Sequence, residues 1–279
     1  MTPPPAGQRP AMAEIFDRAA PTYDAVGAEF FTPVGRALVA AAALRPGDRV
    51  LDAGCGRGAC LFPAAEMVGR NGRVLGIDLA PGMVNATAAE VSRRGLDQVR
   101  VELGDAASPD LAPDSFDAVL ASLLLFFLPD PAAALAAWAS CLRPGGRLAI
   151  STFGPPDPRW DVLDEVAKEH AGATGTTAPP GSLDGPFASA ERLDALVSAA
   201  GFGNVASDER VQEVRFRNGA HFWEWQWSIG ARSIWERVPE DRLPAARAAV
   251  IEAAEKAAAE PDGTLSWRPT IRYTTAINA

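Results

Sequence analysis

Three carboxylates stand where apolar runs end: Asp52, Asp78 and Asp105. The first leads straight into a glycine turn, VLDAGCGRGAC over residues 50–60. Gly54, Gly56 and Ala59 meet the G-x-G-x-x-G/A pattern that lets a ligand approach the backbone at a helix start, where N–H groups are unpaired. Asp78 ends the next strand, the position from which an acidic side chain meets a ribose. That pattern alone suits several nucleotide chemistries. A Walker-type phosphate cradle is excluded, because no Lys followed by Ser or Thr completes the loop. Asp52 argues against a pyrophosphate as well: a carboxylate just before the turn repels a doubly charged ligand and suits a cation or the loop amides. The expected ligand is neutral or zwitterionic, with one carboxylate for an amino-acid part, one for a ribose diol and Asp105, in LGDA, for an exocyclic adenine amine.

The elements that must carry these residues follow from a repeated rhythm of apolar strand, Gly/Asp/Pro turn and helical stretch, which means a parallel sheet with helices on its faces. Strands are expected near 49–54, 73–78, 99–103, 116–122 and 147–153, and helices near 58–68, 82–94 and 131–141, the last with Asp130 as cap and Pro131 in its first turn. All three carboxylates then lie at one edge of the sheet, where α/β folds bind ligands. The turns LRPGDRV (44–50) and LRPGGRL (142–148) each end a helix before proline and feed a strand. Beyond Phe153 the sequence predicts a helix near 160–171, a long Gly/Thr/Pro/Ser loop from Gly172 to Pro186 of functional or mobile character, a helix near 189–200, and a strand within 204–217. The segment 221–238 alternates like a strand over Trp223, Trp225 and Trp227, but Trp223, Trp227, Ile234 and Val238 recur at helical spacing, and a helix is expected. A further helix over 241–259 and a last strand over 264–277 complete the chain.

These stretches resemble class I S-adenosylmethionine-dependent methyltransferases of the type similar to ubiquinone/menaquinone-biosynthesis enzymes. The resemblance is carried by FDRAAPTYD (16–24), VLDAGCGRG (50–58), GIDLAPGMV (76–84), GDAASPDLAPDSFDAVLAS (104–122) and LRPGGRL (142–148), about half the chain. It implies a Rossmann-like α/β three-layer sandwich, a seven-stranded, mostly parallel sheet with an antiparallel last strand, and a helical lid inserted before that strand. S-adenosylmethionine, whose product is S-adenosylhomocysteine, is the implied cofactor, with no metal. By the same resemblance Gly54 and Gly56 pack against the methionine moiety, with Asp52 beneath the turn. Asp78 holds the ribose hydroxyls, Leu79 and Met83 flank the adenine, Asp105 and Ala106 read its edge, Ser122 lies below the sulfonium, and Tyr23 folds over the cofactor. Met83 has an ordinary core role as its competitor, and Asp52 the ordering of the turn. The chain divides as a cofactor-covering segment (1–35), the cofactor-binding core (36–153) and the rest of the core with its lid (154–279, the lid at about 160–186 and 218–260).

The reaction implied is displacement at a sulfonium methyl, in which alignment of the nucleophile supplies much of the rate. An oxygen acceptor usually needs a base, whereas a carbon nucleophile needs one only later. Relatives often carry histidines at the end of the fourth strand, where this chain has Phe126 and Phe127. His221, heading the Trp-rich segment, is the candidate base; its competitor is a structural histidine. Phe126, Phe127, Trp223 and Trp227, with Trp225 and Trp235 nearby, are expected to line a hydrophobic acceptor pocket, and simple helix packing competes for the tryptophans. The expected acceptor is an apolar small molecule, a secondary metabolite, methylated on oxygen or carbon; a quinone or lipid stays open. Two other readings stand beside this one: a protein of the same fold that keeps the cofactor as a structural element for cyclisation, rearrangement or binding, and a nicotinamide oxidoreductase, which leaves Asp105 unexplained.

Bulk properties narrow the field further. The chain has 279 residues, 48% hydrophobic and 22% charged, as in ordinary globular proteins, with one domain or one domain and a lid expected. A net charge of −9 without a basic strip argues against nucleic acid. Cys55, Cys60 and Cys141 lack metal-site or disulfide spacing and do not converge on a thiophilic ion, so a reducing, cytoplasmic setting is expected. The first dozen residues read as a loose proline-rich tail, and the longest apolar run, 118–128, is too short to cross a bilayer.

Overall fold

The structure, a computed structural model, describes residues 8–173, 178–179 and 181–279. Residues 1–7 of the expected tail, and 174–177 and 180 of the expected loop, lie outside the described residues. In chain order the elements are α1 (Gln8–Ala19), α2 (Phe31–Ala41), β1 (Arg49–Ala53), α3 (Leu61–Val68), β2 (Arg73–Asp78), α4 (Pro81–Arg94), β3 (Val99–Leu103), β4 (Phe116–Ser122), α5 (Pro131–Cys141) and β5 (Leu142–Phe153). They continue with α6 (Val162–Ala171), α7 (Ala190–Ala199), β6 (Phe202–Val211), β7 (Val214–Phe216), α8 (Gly219–Ser228), α9 (Arg232–Trp235), α10 (Leu243–Ala258), β8 (Leu265–Trp267) and β9 (Thr270–Asn278).

Seven strands form one sheet in the order β3-β2-β1-β4-β5-β9-β6. The ladders from β3 to β5 are parallel, and β9 enters antiparallel between β5 and β6. Alternation along the central strands feeds two cores: Val50, Ala118, Leu120 and Ala149 belong to one, and Leu51, Val119, Ala121 and Ile150 to the other. A parallel sheet covered on both faces requires this near-continuous apolar content. The strand order reverses between β1 and β4, which opens a crevice at their carboxyl ends. Both the glycine turn after β1 and Ser122 at the end of β4 border it.

Four departures from the sequence expectation have local causes. Backbone from Gln8 onward is helical rather than tail, since Pro10 falls in the first turn, where a missing N–H costs little. The core helix α2, of which the sequence marked only the end through the LRPGDRV turn, buries Val34, Leu38 and Val39, and a Cβ on its Gly35 would lie 2.2 Å from the Ala59 carbonyl oxygen. Thus α2 backs directly onto the glycine turn, and it runs across residues 35 and 36. The Trp-rich helix breaks after Ser228: the Phe16 ring sits 3.3 Å from where a Gly230 Cβ would be, and a separate short helix, α9, follows. The expected last strand divides at Pro269, which has no N–H for a ladder; β8 instead pairs with β7 in a small antiparallel sheet.

Candidate functional site

The glycine turn is held by the carboxylate of the neighbouring strand. Asp78 Oδ2 accepts from the Gly56 N–H at 2.8 Å and Oδ1 from the Ala80 N–H at 2.9 Å, so one side chain ties the turn to the head of α4. The Cys55 N–H donates to the Ile77 carbonyl at 2.9 Å, and Thr87 Oγ1 on α4 donates to the Gly56 carbonyl at 2.7 Å. Gly54 and Gly56 both have positive φ, 69° and 49°, which a side chain disfavours. Beside Gly54 lies Leu124, whose Cδ1 is 2.8 Å from a Cβ built there; Gly56 faces open space. Burial pushes the Asp78 acid up, and its backbone donors oppose that shift.

Asp52 lies deeper, at 1% exposure, and its Oδ2 finds no hydrogen-bond partner among the described residues. Burial first, then the Asp78 carboxylate, raises its acid to about 8, against the Leu61 N–H that favours the charged form. Asp105 Oδ1 accepts from the Ala107 N–H at 2.9 Å, and the Ala106 carbonyl accepts from the Trp138 indole at 2.8 Å. The third strand edge is thereby fixed from below. Leu79 is 37% exposed beside Asp78, while Met83 is buried with Ala20 and Ala80 against Phe16 and Tyr23. The Ser122 and Ser151 hydroxyls hydrogen-bond at 3.0 Å across β4 and β5.

The amino-terminal segment closes this edge. Tyr23 packs on Phe31 with ring centroids 4.6 Å apart and on Phe16 at 6.2 Å; burial, then the Asp24 and Asp78 carboxylates, hold its hydroxyl protonated. Asp17 accepts from the Gly82 N–H, and Arg57 in the glycine turn donates to the Ala20 carbonyl at 2.5 Å. On its other side α1 reaches α9 through the Arg18–Glu236 ion pair, 2.7 Å, and through Arg232, which donates to the Arg18 carbonyl at 2.6 Å. Phe16, Asp17, Arg57 and Thr87 were not singled out from the sequence. The first two lie inside FDRAAPTYD, where only Tyr23 had been assigned a role.

The expected acceptor residues fall into two groups. Phe126 packs on Phe127 at 4.7 Å, Phe153 at 5.7 Å and Phe187 at 6.1 Å. Trp223 and Trp227, 5.9 Å apart, instead line a cleft of about 350 Å³ with Thr22, Val26, Glu224 and Ser228. Phe16 stands between the groups, 5.7 Å from Phe127 and against Gly230. Trp225 faces inward onto Phe30, Phe216 and Trp267, and Trp235 is buried against Trp223. His221 is buried, with Nδ1 accepting from the Arg217 N–H at 3.1 Å and Nε2 at 2.7 Å from the Val26 carbonyl. Those partners place the proton on Nε2 and spend both nitrogens on backbone.

The site has the features a sulfonium nucleoside requires: an orphaned buried carboxylate, a glycine turn with room at Gly56, two further strand-end carboxylates, and no phosphate-binding lysine in the turn. Among the described residues no group of three or more His, Cys, Asp or Glu side chains could hold a metal ion, and no helix is long and apolar enough to cross a membrane.

Residues 50–146 match the family of methyltransferase domains. Over 247 residues the chain is 42% identical to nocamycin O-methyltransferase of Saccharothrix syringae, spanning 85% of this chain and 88% of that protein. It is 49% identical over 141 residues to aklanonic acid methyltransferase DauC of Streptomyces sp. strain C5, across 50% of this chain and 64% of the relative. Among solved structures, the YcgJ protein of Bacillus superposes with a TM-score of 0.58 at 19% identity, over 87% of this chain and 97% of that one. The [4+2]-cyclase SpnF superposes with a TM-score of 0.55 at 21% identity, over 88% and 80%. At such identities these two likenesses speak to the fold alone.

Proposed function

The chain belongs to the class I S-adenosylmethionine-dependent methyltransferases, and from that membership we propose that it methylates an oxygen of a hydrophobic small molecule, a secondary metabolite. The observation that carries this reading is the 42% identity to nocamycin O-methyltransferase over 85% of this chain and 88% of that protein. Aklanonic acid methyltransferase, a second small-molecule enzyme, supports it. A purely structural use of the cofactor is not favoured, since its one support is a likeness of fold.

S-adenosylmethionine supplies an activated methyl group on a positively charged sulfur. In the proposed arrangement the glycine turn, with Gly54 and Gly56, holds the methionine moiety, and Asp52 lies beneath it. Asp78 keeps its grip on the turn while its outer lone pairs take the ribose diol. Leu79 and Met83 flank the adenine, Asp105 and Ala106 meet its edge, Ser122 lies under the sulfur, and Tyr23 covers the whole. The aromatic groups around Phe126 and Trp223 exclude water from the reacting atoms, so that the chain contributes mainly by alignment.

No base is assigned. We read His221 as a staple between Val26 and α8, because backbone groups occupy both its nitrogens. The ionisable side chain lining the Trp cleft is Glu224, which is exposed to solvent and held by no partner among the described residues that would aim it at an acceptor as a base must be. The acceptor oxygen therefore arrives already ionised, as a carboxylate or an acidic enol, and displacement at the sulfonium methyl calls for no metal. Assaying apolar carboxylic acids, enols and matched neutral phenols for S-adenosylhomocysteine formation tests this. Turnover of the acids and enols is expected; turnover confined to neutral phenols would refute the base-free reading.

A further inference from the structure

A hydroxyl can both donate and accept, so its orientation is fixed only where its neighbours leave it no choice. Ser122, at the carboxyl end of β4, is such a case. Ser151 stands opposite it on β5, and the two hydroxyl oxygens lie 3.0 Å apart. Beyond Ser151, the Leu123 N–H donates to its Oγ at 3.1 Å. On the other side the Ser122 hydroxyl bonds to the thiol of Cys60, just before α3, and the Cys60 S–H donates to the Gly35 carbonyl of α2 at 3.8 Å. Burial, then the Asp52 carboxylate, push the Cys60 thiol well up against that Ser122 bond, so the S–H is retained. Each link has one hydrogen to give, and the ends set the direction. A carbonyl can only accept, so the Cys60 hydrogen is spent on Gly35; the Cys60–Ser122 bond then uses the Ser122 hydrogen, and the Ser122–Ser151 bond uses the Ser151 hydrogen. The Leu123 N–H, which can only donate, meets the chain from its other end in the same sense. Of the two lone pairs on Ser122 Oγ, one receives Ser151 and the other is left over. Ser151 and Cys60 are buried, whereas Ser122 is half-buried and borders the crevice between β1 and β4.

We propose that Ser151 is a positioning residue for methyl transfer: through this chain, and with Cys60, it turns the Ser122 proton inward and presents a bare oxygen lone pair at the end of β4 to the sulfonium methyl of the donor. This rests on the cofactor placement proposed above. The C–H bonds of a methyl on a cationic sulfur are polarised, and an oxygen lone pair attracts them where a hydroxyl proton repels them. A Ser122 free to rotate would present its proton part of the time. The same Ser151 hydroxyl supports the turn that follows. Leu123 has φ 50°, uncommon for a residue with a side chain, and its N–H meets both the Ser151 hydroxyl and, at 3.0 Å, the Ser151 carbonyl. Beyond that turn Leu124 lies against Gly54, and Phe126 joins Phe127, Phe153 and Phe187. One buried hydroxyl therefore braces the glycine-turn side and the aromatic side of the crevice together.

Nuclear magnetic resonance of the full-length protein with S-adenosylmethionine isotope-labelled at its methyl group reads the contact without any acceptor. The bound methyl protons should resonate downfield of the free donor, and should move upfield by the same amount in Ser151→Ala and Ser122→Ala. The double variant should move no further, because Ser151 acts through Ser122. Ser151→Thr, which keeps the hydroxyl, should regain most of the shift. Calorimetric titration of Ser151→Ala should show donor affinity falling about twofold to fivefold relative to that of S-adenosylhomocysteine, which lacks the methyl. An unchanged resonance, shifts that add in the double variant, or equal weakening of both ligands would overturn the proposal. If Ser151→Ala does not fold, Cys60→Ala cuts the chain at its other end: the same upfield move, restored in Cys60→Ser, is expected, and its absence would count against the proposal. Failure of the wild-type protein to bind either ligand would instead remove the cofactor placement, and the proposal with it.

Discussion

Asp78 holds two loop amides with one side chain, and Asp52 holds none with Oδ2, so substitutions at the two should behave differently. Asp78→Ala leaves the Gly56 and Ala80 N–H groups without their charged acceptor, and charge-assisted bonds of this kind contribute about 1.5–3 kcal/mol. Cofactor affinity should fall about tenfold to a hundredfold, measurable by titration with S-adenosylhomocysteine. Asp52 acts on the stability of the ligand-free protein. Its folded-state acid, near 8, lies above the ordinary carboxyl value near 4, so its contribution is complete at low pH and is lost as pH rises from about 4 through 8. Thermal unfolding of the ligand-free protein should show Asp52→Asn gaining a few degrees over wild type at pH 8 and little at pH 4; the reverse trend would contradict the neutral-acid assignment. His221→Phe should cost about 1–3 kcal/mol by orphaning the Val26 carbonyl and the Arg217 N–H. Its turnover per folded molecule and its pH profile should stay close to wild type. A general base would instead show a collapsed kcat.

At the scale of elements, α2 matters because it supports the turn from behind. Gly35→Ala would drive a Cβ to 2.2 Å from a backbone oxygen that cannot yield without moving Ala59 and the turn itself. Several kcal/mol of destabilisation and loss of cofactor binding are expected, read by thermal shift with and without S-adenosylhomocysteine. For α1 the ties are unequal. The Arg18–Glu236 pair is largely exposed and contributes less than about 1 kcal/mol, whereas Phe16 lies between Tyr23, Phe127 and Gly230. Phe16→Ala should therefore weaken both cofactor and acceptor binding, while Glu236→Gln should change little. The parallel core from β1 to β5 was legible because the central strands are short apolar runs and the edge strand β3, VRVEL, alternates apolar and charged residues, each punctuated by Gly, Asp or Pro. Helix α1 was not, because Pro10 masks a helix whose partner, Met83, is distant in sequence; of α2 only the end was marked, by the LRPGDRV turn, since Pro33 hides its start and its partner Ala59 is distant too. The division at Pro269 escaped notice because Leu265–Trp267 and Thr270–Asn278 read as one apolar alternation until the strand has to choose between two sheets.

Across the whole molecule, one sheet edge gathers the conspicuous chemistry of the sequence. The glycine turn and the strand-end carboxylates were readable in advance because β-strand ends are marked locally. The aromatic side was readable only in part: Phe126, Phe127, Trp223 and Trp227 stand out in the sequence, but their separation into two groups, with Phe16 between them and Phe187 and Thr22 beside them, depends on the complete fold. Counting tryptophans did not reveal which face inward: Trp225 belongs to the core with Phe30 and Trp267, and Trp223 and Trp227 to the cleft. The proposed reaction is methyl transfer from S-adenosylmethionine to an oxygen of an apolar acceptor. The most direct measurement is mass spectrometry of an apolar carboxylic acid or enol incubated with the protein and methyl-labelled S-adenosylmethionine. Label recovered as a methyl ester or enol ether, in equal amount with S-adenosylhomocysteine, is the expected result. An acceptor converted with the cofactor unconsumed, or label found on carbon or nitrogen, would contradict it.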